Sequence, residues 1–494
     1  MKYPPMPRTL RPRPLLLACT LTAGLAGCNL APEHRTPPLP VPADITATGS
    51  SGAPAVLADQ AGLDVAQALQ WVQSPPLREV IALALTHNRD LRVAVENIER
   101  ARAQYGITSA SRWPTLNGQL QGSRSRSAAE LSSSGQSQVS QQITAQLAFT
   151  SYELDLWGRV RNLNEAALQQ FLQSEENRRS VQIGLVADVA NAWLTLAADQ
   201  ARLQLARDTL SSREKAFELT REMHRLGATS GLVLAQNQAT VETARGDVAA
   251  YTAQVQTDRN ALVLLVGGTV PDALLPQADT LYGDDGANGS PTALQNLPVP
   301  LPSSVLLGRP DIRSAEHNLR AMAANIGAAR AAMFPAISLT ASVGSGSREL
   351  DGLFGAGNNT WSFVPLLRLP LFDGGSTQAA VSVAEANQRI AVAQYEKAVQ
   401  TAFREVADGL AARAQWQARL DAQTRMVQAS QKAFELSEAR FRAGADNYLS
   451  VLDAQRSLYA ARQTLIGLRL AEQQNRVTLW KVLGGAESLT VAQD

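Results

Sequence analysis

The 494-residue chain carries 45 Lys and Arg against 44 Asp and Glu, a net charge of +1, which excludes a nucleic-acid binder relying on bulk positive charge. Its two cysteines, Cys19 and Cys28, both lie near the start, so neither a disulfide framework nor a thiolate metal site is available. The length suits two to four compact domains or one elongated architecture built from repeats.

Lys2, Arg8, Arg11 and Arg13 precede an apolar run from Leu15 to Ala26, the pattern of a secretory signal over residues 1–27. The run is too short to span a bilayer as a helix. Its end, Leu25-Ala26-Gly27-Cys28, resembles the lipobox of bacterial lipoproteins. That resemblance implies a diacylglycerol on the Cys28 thiol and an N-acyl (palmitoyl) chain on its amine after cleavage. Asn29, rather than Asp, implies delivery to the outer membrane. Cleavage removes four basic residues and no acidic one, leaving a mildly acidic chain of 41 against 44. Residues 28–74 then form a lipidated N-terminal tether, in which Pro32, Pro37, Pro38, Pro40 and Pro42 favour extended backbone.

The remainder is a duplicated half-protein. Asp90 and Arg92 recur as Asp311 and Arg313, and Trp113-Pro114-Thr115-Leu116 as Phe334-Pro335-Ala336-Ile337. Phe217-Glu218-Leu219-Thr220 recurs as Phe434-Glu435-Leu436-Ser437, and Gly267-Gly268 as Gly484-Gly485. The period is far too long for a solenoid. The spacing gives a first repeat at 75–268, with strands in 114–155, and a second at 303–485, with strands in 335–373. An inter-repeat equatorial segment, 269–302, separates them, and a tail, 486–494, follows.

Each half reads as helix, two strands, long helix, shorter helix. The spacing predicts a first helix over Leu77 to Ser111, matched by Pro310 to Met333. Apolar residues then recur every seven along about Gly158 to Leu226, at Val189, Leu196, Leu203, Leu210 and Phe217. The counterpart, about Gly375 to Ala443, shows Val406, Leu420, Val427 and Phe434, with Arg413 the exception. At 1.5 Å per residue each long helix reaches about 100 Å. Leu232 to Val266 and Leu449 to Leu483 carry the same period and reach roughly 50 Å. Two shorter helices end to end thus equal one long one, which predicts a sheath of antiparallel coiled-coil pairs.

Between the helices the pattern has period two. Leu116, Gly118, Leu120 and Gly122 oppose Thr115, Asn117, Gln119 and Gln121; Ile143, Ala145, Leu147 and Phe149 oppose Thr144, Gln146, Ala148 and Thr150. Ile337, Leu339, Ala341 and Val343 oppose Ser338, Thr340 and Ser342, and Trp361 and Phe363 flank Ser362. A Ser/Gly-rich hairpin loop is predicted from about Arg124 to Ser140. Four strands cannot close a barrel alone, but three copies give twelve, with apolar residues toward lipid. Trp113, Phe334 and Trp361 suit either a membrane interface or core packing, whereas Trp71, Trp193, Trp416 and Trp480 read as packing residues.

Several motifs together resemble the TolC-like outer-membrane efflux proteins, in particular the OprM/NodT-type lipoproteins. They are Cys28, Gly308-Arg309-Pro310-Asp311-Ile312, Tyr152-Glu153-Leu154-Asp155-Leu156-Trp157-Gly158-Arg159, Leu371-Phe372-Asp373-Gly374-Gly375, and the run from Arg442 to Gln455. The resemblance covers nearly the whole chain beyond the signal. It implies a mainly α fold with a membrane β-barrel: a homotrimer whose twelve strands cross the outer membrane and whose helices form an α-barrel extending into the periplasm. It implies passive conduction, with no cofactor beyond the lipid on Cys28. The implied partners are outer-membrane lipid, a periplasmic adaptor (membrane fusion) protein and an inner-membrane RND-type pump.

Gly227 and Gly444 stand where long helices must reverse, with Arg225 and Arg442 in the last turns facing the negative helix end. The resemblance makes these tips the periplasmic mouth and the adaptor contact. Leu449 and Asp453, four residues apart, share a helical face. The resemblance makes them the periplasmic gate, where three close carboxylates disfavour ionisation. Ser450 stands where some family members carry a second acidic residue.

An enzyme finds little support. His34, His87, His224 and His317 are scattered, and no phosphate loop or nucleophile elbow occurs. The rival from another class is a lipid-anchored periplasmic coiled-coil adaptor, which the alternating strands disfavour.

Overall fold

A computed structural model describes residues 29–45, 56–57, 72–131, 135–281, 301–485 and 489–490. Among the described residues the helices are α1 (Pro75–His87), α2 (Arg89–Ala110), α3 (Arg159–Arg225), α4 (Gly231–Val266), α5 (Pro310–Ala331), α6 (Ser376–Arg442) and α7 (Tyr448–Val482). The strands that form a sheet are β1 (Leu116–Ser127), β2 (Gln138–Leu154), β3 (Ala336–Ser347) and β4 (Asn359–Arg368). The two halves keep matching lengths: 67 residues in both α3 and α6, 36 and 35 in α4 and α7, 22 in both α2 and α5. Helices of 67 residues run about 100 Å.

The first helix differs from its expected single span because Asn88 breaks it. Asn88 takes an extended ψ of 134°, and its Oδ1 accepts the N–H of Leu91 at 2.8 Å, capping α2. Arg309 holds the same place in the second half, at ψ 134°, between a 3-10 turn (Ser303–Gly308) and Pro310, which bars the α conformation from the residue before it.

The chain divides into two compact units. One contains the described residues of 99–173 and 315–395 with the segment from Asn29 to Pro37; the other contains the described residues of 38–98, 174–314 and 396–494. The first unit holds the four-stranded sheet. Its helices approach closely through Ala166, Ala321 and Ala324, and His317 shares a hydrogen bond of 2.7 Å with Gln169. The segment expected to be a free tether lies along α5. A Cβ on Gly327 would come within 2.8 Å of Ala31, and Thr36 donates to Glu316 at 3.2 Å.

The second unit has the larger apolar core. The heptad residues Val189 and Leu196 are fully buried with Leu77 and Ile81 of α1, Leu262 and Val266 of α4, and Trp193 and Trp480. Trp193 donates its indole N–H to the Leu274 carbonyl at 3.0 Å, and Trp193 and Trp480 act as packing residues. The predicted exception, Arg413, has its pKa lowered, chiefly by burial. Asp44–Ile45 pairs with Leu301–Pro302, and Val56–Leu57 with Leu489–Thr490, so two further parts of the 28–74 segment join short ladders. The signal, Cys28 and Trp71 lie outside the described residues.

Candidate channel wall, tips and gate

The sheet runs β1-β2-β3-β4, antiparallel throughout. Register turns the alternation of each strand into continuous rows. Gly118 faces Leu147, Leu147 faces Val343, and Val343 faces Trp361; Leu116 faces Phe149, Phe149 faces Ala341, and Ala341 faces Phe363. These rows are therefore apolar from edge to edge, and Leu116, Leu147, Val343, Trp361 and Phe363 in them are exposed, Trp361 by 80%. The opposite face carries Gln119, Gln121, Thr144, Gln146, Ser342 and Ser362, with Ser342 and Ser362 hydrogen-bonded at 2.7 Å. A bulge between Phe149 and Tyr152, with Ser151 at φ 53°, inserts one residue and brings Tyr152 opposite Leu339 and Leu154 opposite Ile337. The predicted loop from Arg124 to Ser140 is shorter than expected. Pairing continues through Arg124 opposite Gln141 to Ser127 opposite Gln138, because the ladder is made by backbone groups that polar side chains do not interrupt.

Strands β1 and β4 are the sheet's edges, and both are exposed along their whole length. Unpaired edges and an uncovered apolar face are costly in a soluble monomer, and closure with further copies removes both edges. Of the aromatic residues near the strands, Trp113 and Trp361 are exposed, whereas Phe334 stacks on Trp157 at 4.7 Å between ring centres.

Where strands give way to long helices, carboxylates cap the start. Asp155 accepts the N–H groups of Val160 and Arg161 at 3.1 and 2.7 Å, and Asp373 accepts those of Gly375 and Thr377 at 3.0 and 2.8 Å. Hydrogen bonds from the Thr377 hydroxyl first, and then from the Thr377 and Gly375 N–H groups, hold the Asp373 carboxyl below the usual range.

At their far ends the long helices stop in the same way. Gly227 and Gly444 adopt φ 74° and 70°, a left-handed conformation that glycine takes without a Cβ penalty. Ala228 N–H reaches the Met223 carbonyl at 2.8 Å, and Ala445 N–H reaches that of Arg440 at 2.9 Å, the bonds that close such a cap. Ser230 and Asn447 then cap α4 and α7. Arg225 pairs with Glu222, and Arg442 with Glu438 at 2.7 Å; all four side chains are exposed. These exposed pairs contribute little to stability.

Leu449 and Asp453 both lie exposed on α7. The other side of this turn packs Tyr448, Val451 and Leu452 against Phe434, Phe441 and Val233. Asp453 is ion-paired to Arg456 one turn on, a partner that the i, i+3 spacing in the sequence signals. Helices α7 and α4 are tied together farther along. Tyr459 donates to Asp247 at 3.2 Å, and Gln463 to the Tyr251 hydroxyl at 3.0 Å. Both tyrosine hydroxyls have raised pKa values, chiefly from burial.

The outer membrane efflux protein profile matches residues 80–268 and again 301–485. The chain belongs to that family. The two matched stretches are the two repeats. The toluene efflux pump outer membrane protein TtgC of Pseudomonas putida is 44% identical over 471 residues, 95% of each chain. A crystal structure of a membrane protein from Pseudomonas aeruginosa superposes with a TM-score of 0.83 at 40% identity, covering 93% of this chain and 99% of that one. The open state of the Neisseria gonorrhoeae MtrE outer membrane channel gives 0.78 at 35% identity, covering 93% and 99%. As an outer membrane efflux protein the chain works in the outer membrane as the channel component of efflux, and its mainly α fold with a β domain is that of these channels. The family's members are transport proteins.

Proposed function

We propose that three copies join edge to edge into a twelve-stranded barrel and conduct substrate passively, the helices forming a periplasmic tunnel. The carrying observation is the four-stranded sheet, with its exposed apolar residues and two edges that are unpaired among the described residues. Lipid covers the apolar face, and Gln119, Thr144 and Ser342 line the water-filled side. The chain performs no chemistry of its own and takes substrate from an inner-membrane RND-type pump through a periplasmic adaptor.

In this reading the adaptor meets the Gly227 and Gly444 tips, beside Arg225 and Arg442, and spreads the helix pairs. Leu449 and Asp453 form the gate. The Arg456 partner partly offsets repulsion among three Asp453 carboxylates, so the constriction is a ring of ion pairs rather than of bare anions. Cys28 carries the lipid anchor. Supporting this, the chain just beyond it lies against the end of α5 that leads into β3: the Leu30 carbonyl accepts from Arg330 at 3.5 Å, shortly before β3 begins at Ala336.

Planar-bilayer recording tests the gate. Asp453→Ala raises the conductance of the isolated protein and lowers its cation selectivity. Unchanged conductance and selectivity remove Asp453 from the gate, and absence of any channel activity in the wild type favours the adaptor reading.

A further inference from the structure

We propose that the outer rim of the sheet binds phosphorylated lipid head groups of the outer leaflet through Arg124 and Arg126, a surface that rests on the barrel reading above. On β1 the residues Leu116, Gly118, Leu120 and Gly122 share the apolar face, and the next two positions on that face are Arg124 and Arg126. Both are exposed, and neither has an ion-pair partner among the described residues; Arg126 donates to Ser137 at 2.7 Å. From Leu116 to Arg124 the strand climbs ~26 Å at ~3.3 Å per residue. With a tilt of ~40°, that is ~20 Å along the barrel axis, and an outer-membrane apolar band is ~25 Å tall. The two guanidinium groups therefore stand at the rim of the band on its lipid side. An arginine there is disfavoured in hydrocarbon but at ease among head groups.

The second hairpin extends this surface. Gly122, Ile143 and Ser347 lie in one row across β1, β2 and β3, so Arg348 follows at the same end of the sheet. The connection after β3 turns back onto the loop end of the apolar face only. Ser345, opposite Ala145, donates its hydroxyl to the Leu353 carbonyl, and Leu353 is buried. Leu350 and Phe354 are left exposed, Phe354 by 82%. A phosphorylated lipid complements both parts, since guanidinium forks bind phosphate bidentately and the apolar side chains meet the upper acyl region. The acidic residues of this end, Glu130, Glu349 and Asp351, sit in the turns beyond the strands and form no ion pair with these arginines among the described residues.

The test titrates the detergent-solubilised full-length protein with bis-phosphorylated lipid A and with its dephosphorylated form. Wild type prefers the phosphorylated lipid by about tenfold or more, and added salt weakens that preference. The R124Q/R126Q variant loses the preference, and R124K/R126K recovers part of it. Equal affinity of wild type for the two lipids, or an unchanged preference in R124Q/R126Q, overturns the proposal. Should R124Q/R126Q fail to assemble, the wild-type comparison decides alone. Bilayer conductance of the same samples separates this result from the channel reading: a conducting wild type without lipid preference refutes the lipid surface only.

Discussion

Asn88 and Arg309 make the same bond in the two halves of the chain with different side chains. Asn88 donates its amide to the Leu265 carbonyl at 2.8 Å, and Arg309 donates its guanidinium to the Val482 carbonyl at 2.7 Å. Each acceptor lies two residues ahead of a left-handed glycine, Gly267 at φ 78° and Gly484 at φ 80°. Duplication thus preserved a joint in which the residue breaking one helix satisfies a terminal carbonyl of another. At Gly267 the joint is tight, since a Cβ there would lie 2.4 Å from the His87 carbonyl oxygen.

The joint predicts unequal costs. Arg309 also binds Asp311 and Glu405, at 2.7 and 2.9 Å, and its side chain is only 9% exposed. Asn88→Ala removes a cap and a carbonyl partner and costs about 1–2 kcal/mol. Arg309→Ala, which removes the Val482 contact and leaves the partly exposed Asp311 and Glu405 without this partner, costs about 2–3 kcal/mol. Denaturation midpoints of the two variants check the order, and an Arg309→Ala protein as stable as wild type contradicts it.

The buried carboxylates of the α3–α4 pair predict a pH dependence. Asp258 on α4 is pushed up to about 6, first by burial and then by Asp199 on α3, with Gln254 and Arg202 opposing. Asp199 is itself paired to Arg202. Below about pH 4 Asp258 is protonated whether folded or unfolded. Between about 4 and 6 the folded state keeps a proton that the unfolded state releases, so stability falls as pH rises through this window and stays lower above it. Asp258→Asn flattens that fall and melts higher than wild type at pH 7.5. Thermal melts of both proteins at pH 5 and pH 7.5 with parallel pH dependence would contradict the assignment.

The two faces of the sheet predict opposite tolerance. Leu147→Arg places a charge on the lipid side and costs about 2–4 kcal/mol near the bilayer midplane. Gln146→Arg, one residue away on the watery side, folds normally and alters ion selectivity. Yield of heat-resistant assembled protein from outer membranes measures the first, and bilayer recording the second. Equal tolerance of both substitutions contradicts the facing.

The long helices were legible in the sequence because their burial repeats every seven residues: Val189 and Leu196 are buried where the spacing put them, and α3 and α6 end at the predicted glycines. The strand faces were legible for the same reason at period two. The break at Asn88 was not, since Asn88 and Arg309 share no chemistry and only the second copy advertises the joint with Pro310. The Asp199–Asp258 pair was also hidden, because nothing in either helix's own pattern says that the two carboxylates face each other. The packing of Ala31 against Gly327 depends on contacts between residues about 300 positions apart, which a proline-rich composition cannot reveal.

Electron imaging of the detergent-extracted protein, reading particle symmetry and length, decides whether the chain assembles into a shared duct. A trimeric duct gives hollow three-fold particles well over 100 Å long, as helices of 67 residues together with a barrel require. Monomeric particles without a central channel would contradict it, because the edges of β1 and β4 would then close no shared barrel.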